Sequence, residues 1–261
     1  MSRQLVVTTS WDDGSMLDIR VSELLEKYGI KGTFYIPNDF GKTTGKFKAY
    51  KRRLNEHEIR QISQYHEIGG HTISHRSLKG LEEQDIINEM VGNKHYLENI
   101  IGKPVTSFAY PNGMYDKQIS SMALKAGFNL ARTTVKLSFE VPKDNLTMPV
   151  SIMAAPYPFR KINASNIYWR RALDPLIGYG WSLFRYPKLI ASSYSWQAFA
   201  RASVQEAISR GGYLHLYGHR WEIEAYNFWS QLELFFQYLS SLRGVSFVTN
   251  NEIYENTISN R

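Results

Sequence analysis

Two adjacent carboxylates, Asp12 and Asp13, follow a short β-branched run and precede Gly14. Neighbouring carboxylates at a strand end can diverge, one holding a cation while the other faces a nucleophilic water. Asp-Asp-Gly is also a favourable turn in its own right. Further on, His71 and His75 frame His-Thr-Ile-Ser-His. A separation of four puts both imidazoles on one side of a helical turn, a spacing that two ligands of one Zn²⁺-like ion can use. His219 follows Gly218 at the end of another apolar run, where an acid/base residue would face a shared pocket. His215 lies inside that run and reads as a core histidine with a satisfied hydrogen bond. Tyr110-Pro111-Asn112-Gly113 ends a further run in the same sense, with a plain turn as the competing reading. The chain has no cysteine, so disulfides, iron–sulfur clusters and a thiol nucleophile are excluded, and any metal must be held by His, Asp, Glu or water.

An alternation of strands and helices is needed to position these groups, and the sequence carries one. Leu5 to Ser10 reads as a strand; Leu17, Val21, Leu24, Leu25 and Tyr28 fall on one helical face stopped by Gly29; Gly32 to Pro37 is a second strand. Residues 38 to 53, basic at Lys46, Lys48, Lys51, Arg52 and Arg53, read as a long exposed loop. Asn55 with Glu58 forms a capping box that opens a helix through about His66. Strands are then expected at 67–72, 106–110, 128–134, 213–217 and 245–249. Helices are expected at 81–101, 116–126, 197–210 and 228–242, with a last short helix after them. Seven strands alternating with helices imply a parallel sheet, either closed as a barrel or open and doubly wound. Residues 136 to 196 break the rhythm: Tyr157, Phe159, Tyr168, Trp169, Trp181, Phe184 and Tyr194 interleave with Arg160, Arg170, Arg171, Arg185 and Lys188. This stretch reads as an irregular, aromatic-rich insertion within a single domain covering 1–261.

Asp12-Asp13, His71/His75, Tyr110-Pro111 and His219 each fall just past a predicted strand's C-terminal end, and in a parallel α/β barrel those ends share the face where active sites form. On Thr9-Ser10-Trp11-Asp12-Asp13-Gly14, His71-Thr72-Ile73-Ser74-His75, Phe108-Ala109-Tyr110-Pro111-Asn112-Gly113 and the strand ending at His219, the sequence resembles the polysaccharide deacetylases, the NodB-homology or carbohydrate esterase family four. The likeness spans about residues 5 to 250. It implies an α/β fold, a distorted (β/α)7-type barrel, and a metal-dependent carbohydrate deacetylase. Asp13, His71 and His75 would hold a divalent cation, Zn²⁺ first, with Co²⁺, Ni²⁺ or Mn²⁺ as alternatives. Asp12 would be the general base and His219 the general acid, with His215 as the alternative. Trp11, Tyr110, Pro111 and Arg132 are expected to bind substrate, and a backbone N–H near Tyr110 to support the oxyanion. Many members carry an arginine at the start of the third motif, paired with the base; here that stretch reads Phe108-Ala109-Tyr110. Arg132 is the candidate replacement, and a barrel salt bridge is its competing reading. The family's later Asp/Trp motif is not recognisable, which leaves Glu222 as the nearest acidic partner for His219.

At 261 residues the chain fits one α/β barrel or two small domains, and its 43% hydrophobic and 21% charged content excludes disorder as the main state. A net charge of +7 suits an anionic substrate or acidic surface, and without a recognition motif it argues against nucleic acid. Leu5-Val6-Val7 is too short for a signal-peptide core, and the charge-free stretch 145–159 is broken by three prolines. These features lead to an expectation of no transmembrane segment and of a cytoplasmic location, with the inner membrane surface as a further option. The expected partner is an acetylated carbohydrate, nucleotide- or lipid-linked, with amide cleavage placed before ester cleavage. A C–N hydrolase on a non-sugar amide and a non-catalytic carbohydrate-binding homologue are the rival readings.

Overall fold

The computed structural model describes residues 4–39, 52–155, 161–163, 166–167 and 179–259. Lys46, Lys48 and Lys51, and with them Tyr157, Phe159, Arg160, Tyr168, Trp169, Arg170 and Arg171, lie outside the described residues. The first half is regular: β1 (Leu5–Asp12), α1 (Asp18–Lys27), β2 (Thr33–Ile36), α2 (Glu56–Ile62), β3 (Glu67–Gly70), α3 (Glu83–Ile101), β4 (Ser107–Ala109), α4 (Lys117–Lys125) and β5 (Leu130–Arg132). The second half contributes β6 (Ile152–Met153), the antiparallel pair β7 (Lys161–Asn163) and β8 (Asn166–Ile167), the helix Trp196–Arg210, β9 (Tyr213–Gly218), the helix Trp229–Ser241, β10 (Val245–Phe247) and the helix Asn250–Ser259. The capping box forms as expected, Asn55 accepting from the Glu58 amide and Glu58 from the Asn55 amide, but α2 ends at Ile62, short of His66.

Strands β1 to β5 pair in parallel in sequence order, and β9 lies on the other side of β1 through Val6–Trp11. The sheet then curls round. The Met148 amide donates to Ala131 O and the Thr133 amide to Met148 O, while the Ser151 and Ala154 amides donate to His215 O and Tyr217 O. Segment 148–154, containing β6, therefore bridges β5 to β9 as the seventh stave of a distorted (β/α)7 barrel. This corrects the sequence reading in two places. The seventh stave lies inside the stretch read as an insertion, and Val245–Phe247 instead flanks the start of β1 through Leu5–Val7. A two-residue strand beside Pro149 carries no periodicity, so its pairing comes from tertiary hydrogen bonds and not from local pattern.

Period-two alternation sorts β1 into two faces. Thr8, Ser10 and Asp12 reach across the barrel to Asn250, His215 and Arg132, while Trp11 faces the helix layer and meets Phe236 edge-on with ring centroids 6.4 Å apart. The apolar core thus lies between staves and helices, where Trp196, Phe199, Phe235 and Phe236 are buried. Inside the barrel the residues are polar and mutually bonded. Asn250 donates to the Tyr35 hydroxyl, Thr33 donates to Glu67, and Ser10 and the Tyr213 hydroxyl bracket the His215 ring. Such groups are stable away from water because they satisfy one another.

Candidate metal and catalytic site

At the C-terminal rim of the barrel β1 ends in Asp12, and Asp13 takes φ +84°. Plain strand alternation would send the two carboxylates to opposite faces; this left-handed step keeps both at the rim, where they serve different partners. Asp13 Oδ1 lies 3.2 Å from His75 Nε2 and 3.9 Å from His71 Nε2, and the two imidazoles sit 4.7 Å apart, centroid to centroid. One ligand atom from each of Asp13, His71 and His75 falls within 4.8 Å of the others, as a shared cation requires. The histidines come together differently from the sequence expectation. They do not share a helical turn: His71 to Arg76 is an irregular loop after β3, in which Thr72 (φ +68°) and His75 (φ +54°) are left-handed. With Asn112 (φ +56°), four of the six left-handed non-glycine residues among those described surround this rim, a concentration of backbone strain typical of functional sites.

The support behind the loop fixes the protonation pattern. His71 Nδ1 lies 2.7 Å from Ala109 O, an acceptor, so Nδ1 carries the proton and Nε2 presents its lone pair toward Asp13. Burial, reinforced by His75, pulls the His71 pKa down to about 4, which keeps the ring neutral and available as a ligand at neutral pH. Asn93 accepts from the His71 amide and donates to Ile36 O and Asn38 Oδ1, and Glu89 accepts from the Ser74 amide and hydroxyl and pairs with Arg76. The donor set and its tautomer thus fit a divalent cation.

The second carboxylate has other company. Asp12 is 4% exposed, and its Oδ1 accepts from Nη2 of Arg132, which is fully buried between the Tyr35 and Tyr217 rings. Its Oδ2 lies 3.9 Å from His219 Nε2, and His219 Nδ1 lies 3.5 Å from Glu222 Oε2. Burial alone would raise the Asp12 carboxyl, but Arg132, His71 and His219 hold it below its ordinary value, so it is an anion at neutral pH. Burial alone would lower His219, yet Glu222, Asp13 and Asp12 push it up to about 9, so its ring is cationic at neutral pH. A proton acceptor and a proton donor therefore face each other beside the cation-ligand set.

Several expected site residues lie elsewhere. His215 is fully buried inside the barrel between Ser10 and Tyr213, and burial holds its pKa well below the ordinary value, so it does not reach the rim. Trp11 is fully buried with its indole N–H donated to Thr9, and Arg132 has no exposed surface, so neither side chain can touch a substrate. Tyr110 stacks on Tyr115 and donates its hydroxyl to Leu146 O, while its amide is committed to Arg132 O. That amide therefore cannot serve the oxyanion, and Pro111, buried as well, supplies shape and no donor. Sequence reading passed over Glu89 and Asn93, although a signal was present. Both fall on the stripe Ile86, Met90 and Leu97 of α3, polar residues on a face that is otherwise buried and apolar.

Comparison with known proteins agrees with this architecture. Residues 2–131 match the family model described as polysaccharide deacetylase. Over 130 residues the chain is 31% identical to YxkH of Bacillus subtilis (strain 168), a protein named as a polysaccharide deacetylase, covering 49% of this chain and 44% of that one. The chain spans about half the length of the curated relatives it matches. Among solved structures, a Mycobacterium smegmatis protein named as a polysaccharide deacetylase superposes with a TM-score of 0.68 at 15% identity, covering 100% of this chain and 92% of that one. A family 4 acetyl xylan esterase from Clostridium thermocellum, solved with a cobalt ion, superposes at 0.56 with 17% identity, covering 96% and 91%. These two likenesses establish the barrel fold.

Proposed function

We propose, from the premise that residues 2–131 belong to the polysaccharide deacetylase family, that the chain is a metal-dependent hydrolase that removes N-acetyl groups from an amino-sugar substrate. The observation that carries this reading is the division of labour between adjacent aspartates: Asp13 with His71 and His75, Asp12 with Arg132 and His219. Asp13, His71 and His75 would hold the cation, Zn²⁺ before Co²⁺, Ni²⁺ or Mn²⁺. When bound it supplies Lewis acidity for the acyl group and for water.

The chain's own residues supply the proton traffic. Asp12, held ionised by Arg132, takes a proton from the water whose oxygen attacks the acetyl carbon. Arg132 orients that carboxylate through Oδ1 and leaves Oδ2 toward the rim. As the C–N bond breaks, His219 delivers its proton to the departing amine, which cannot leave as an anion, and acetate remains. Glu222 keeps the His219 ring oriented and charged for that transfer. An O-acetyl ester, with its better leaving group, needs the donated proton less, so ester cleavage is the secondary activity. The test is acetate release from N-acetylated monosaccharides, nucleotide sugars and chitooligosaccharides, before and after chelation. Release that stops on chelation and returns with Zn²⁺ supports the reading, whereas metal binding without acetate from any of these substrates overturns it.

A further inference from the structure

The exposed large hydrophobic side chains are not scattered evenly. Among the described residues, four of twelve fall between positions 181 and 194: Trp181 (86% exposed), Phe184 (58%), Ile190 and Tyr194 (74%). Trp181 and Phe184 sit three apart in the 3₁₀ turn Gly180–Arg185, where such residues eclipse, and their rings lie 5.5 Å apart. The turn is anchored beneath them by Leu183 and Leu189, both fully buried, so the two rings are held outward on a fixed base. The adjoining face of the turn, Ser182 and Arg185, lines with Tyr186 a groove of about 320 Å³ that also receives Lys136, Glu140 and Arg210, the last paired with Glu206 at 2.9 Å. No acidic residue occurs between Asp174 and Glu206, while Arg185, Lys188 and Arg201 do, within a chain of net charge +7.

Exposed aromatic rings beside cations are the chemistry of the water–lipid boundary, where Trp and Phe enter the headgroup zone and basic side chains meet phosphate. We propose that the segment Gly180–Tyr194 is an interfacial docking surface for an anionic lipid membrane, with Trp181 and Phe184 inserting and Arg185 and Lys136 at the groove beside them meeting headgroup phosphate. The groove supplies the charge complementarity that a protein–protein patch of bare aromatics would lack. No described helix is long and apolar enough to cross a bilayer. The docking surface stands independently of the deacetylase reading, because vesicle binding needs no turnover.

The test is co-sedimentation of the full chain with phosphatidylcholine vesicles and with vesicles containing phosphatidylglycerol, beside the double variant Trp181→Ala/Phe184→Ala and the single variant Arg185→Glu. Binding to the anionic vesicles is expected to weaken with salt, and to fall roughly tenfold or more in the double variant at unchanged melting temperature. Arg185→Glu should weaken binding to the anionic vesicles selectively. No binding to either vesicle, or binding indifferent to both variants, overturns the proposal. So does a dimer in solution that the double variant converts to a monomer without any vesicle binding, which would make the patch a contact between copies.

Discussion

Replacing Arg132 by methionine removes the counter-charge from Asp12 while keeping most of the side-chain volume. Both groups are buried, Arg132 completely and Asp12 to within 4% exposure. Breaking a buried ion pair by deleting one partner typically destabilises by about 3–5 kcal/mol, because the remaining charge is neither solvated nor paired. For a chain of this size each kcal/mol lowers the melting temperature by roughly 2–4 °C, so a fall on the order of 10 °C is expected. The sign with pH is specific. Asp12 is held below its ordinary value in the folded protein, so the pair's contribution is present above the unfolded carboxylate pKa and is lost as pH falls through the depressed one. In Arg132→Met burial is opposed only by His71 and His219, so the carboxyl rises relative to the unaltered chain and the penalty grows with pH. The melting deficit relative to the unaltered chain should therefore be largest where Asp12 is ionised in both proteins, and should shrink as pH falls from the variant's raised carboxyl pKa toward the depressed one of the unaltered chain. The acid limb of the rate profile should move upward, since the base now takes up its proton at higher pH. Adding Asp12→Asn should restore much of the stability and none of the activity. Melting curves across pH for the two single variants and the double variant provide the assay. A deficit that is absent, or the same at every pH, would refute the account of Arg132.

His219→Asn should lower amide hydrolysis by roughly 10²–10⁴-fold and hydrolysis of p-nitrophenyl acetate far less, read as the ratio of the two kcat/KM values. Glu222→Gln removes the strongest influence raising His219, so the basic limb of the rate profile should move down from about 9 toward the ordinary histidine value, because the protonated ring is present only below its pKa. Asn93→Leu strips the His71 amide, Ile36 O and Asn38 of a partner, and should cost about 1–3 kcal/mol in denaturant melts and weaken cation affinity roughly 10–100-fold by calorimetry. Gly69→Ala places a Cβ 2.5 Å from Tyr35 Cδ1 and 2.8 Å from Ser107 Oγ, so overpacking of about 1–3 kcal/mol should appear in the same melts.

The sequence made the regular half of the barrel legible because there each stave is followed by a helix whose buried stripe can be counted. Val21 and Leu25 on α1, and Ile86, Met90 and Leu97 on α3, are buried as the 3.6-residue period requires. The positions of Asp12, Asp13, His71 and His219 followed from strand ends alone. What could not be read was geometry made by distant chain segments. The 148–154 stave is a strand because β5 and β9 lie on either side of it, and nothing in its own residues says so. His71 and His75 are spaced like residues on a helical face, yet left-handed steps at Thr72 and His75 bring them together in a loop. Arg132 was visible as an arginine on a strand, but its choice between a substrate contact and a grip on Asp12 depends on burial, which exists only in the closed barrel.

The division between the two adjacent aspartates can be tested by cation titration and acetate release on Asp12→Asn and Asp13→Asn side by side. The account predicts that Asp12→Asn still binds Zn²⁺ and releases almost no acetate, while Asp13→Asn loses binding and release together. Loss of binding in Asp12→Asn, or acetate release surviving in it, would contradict the assignment.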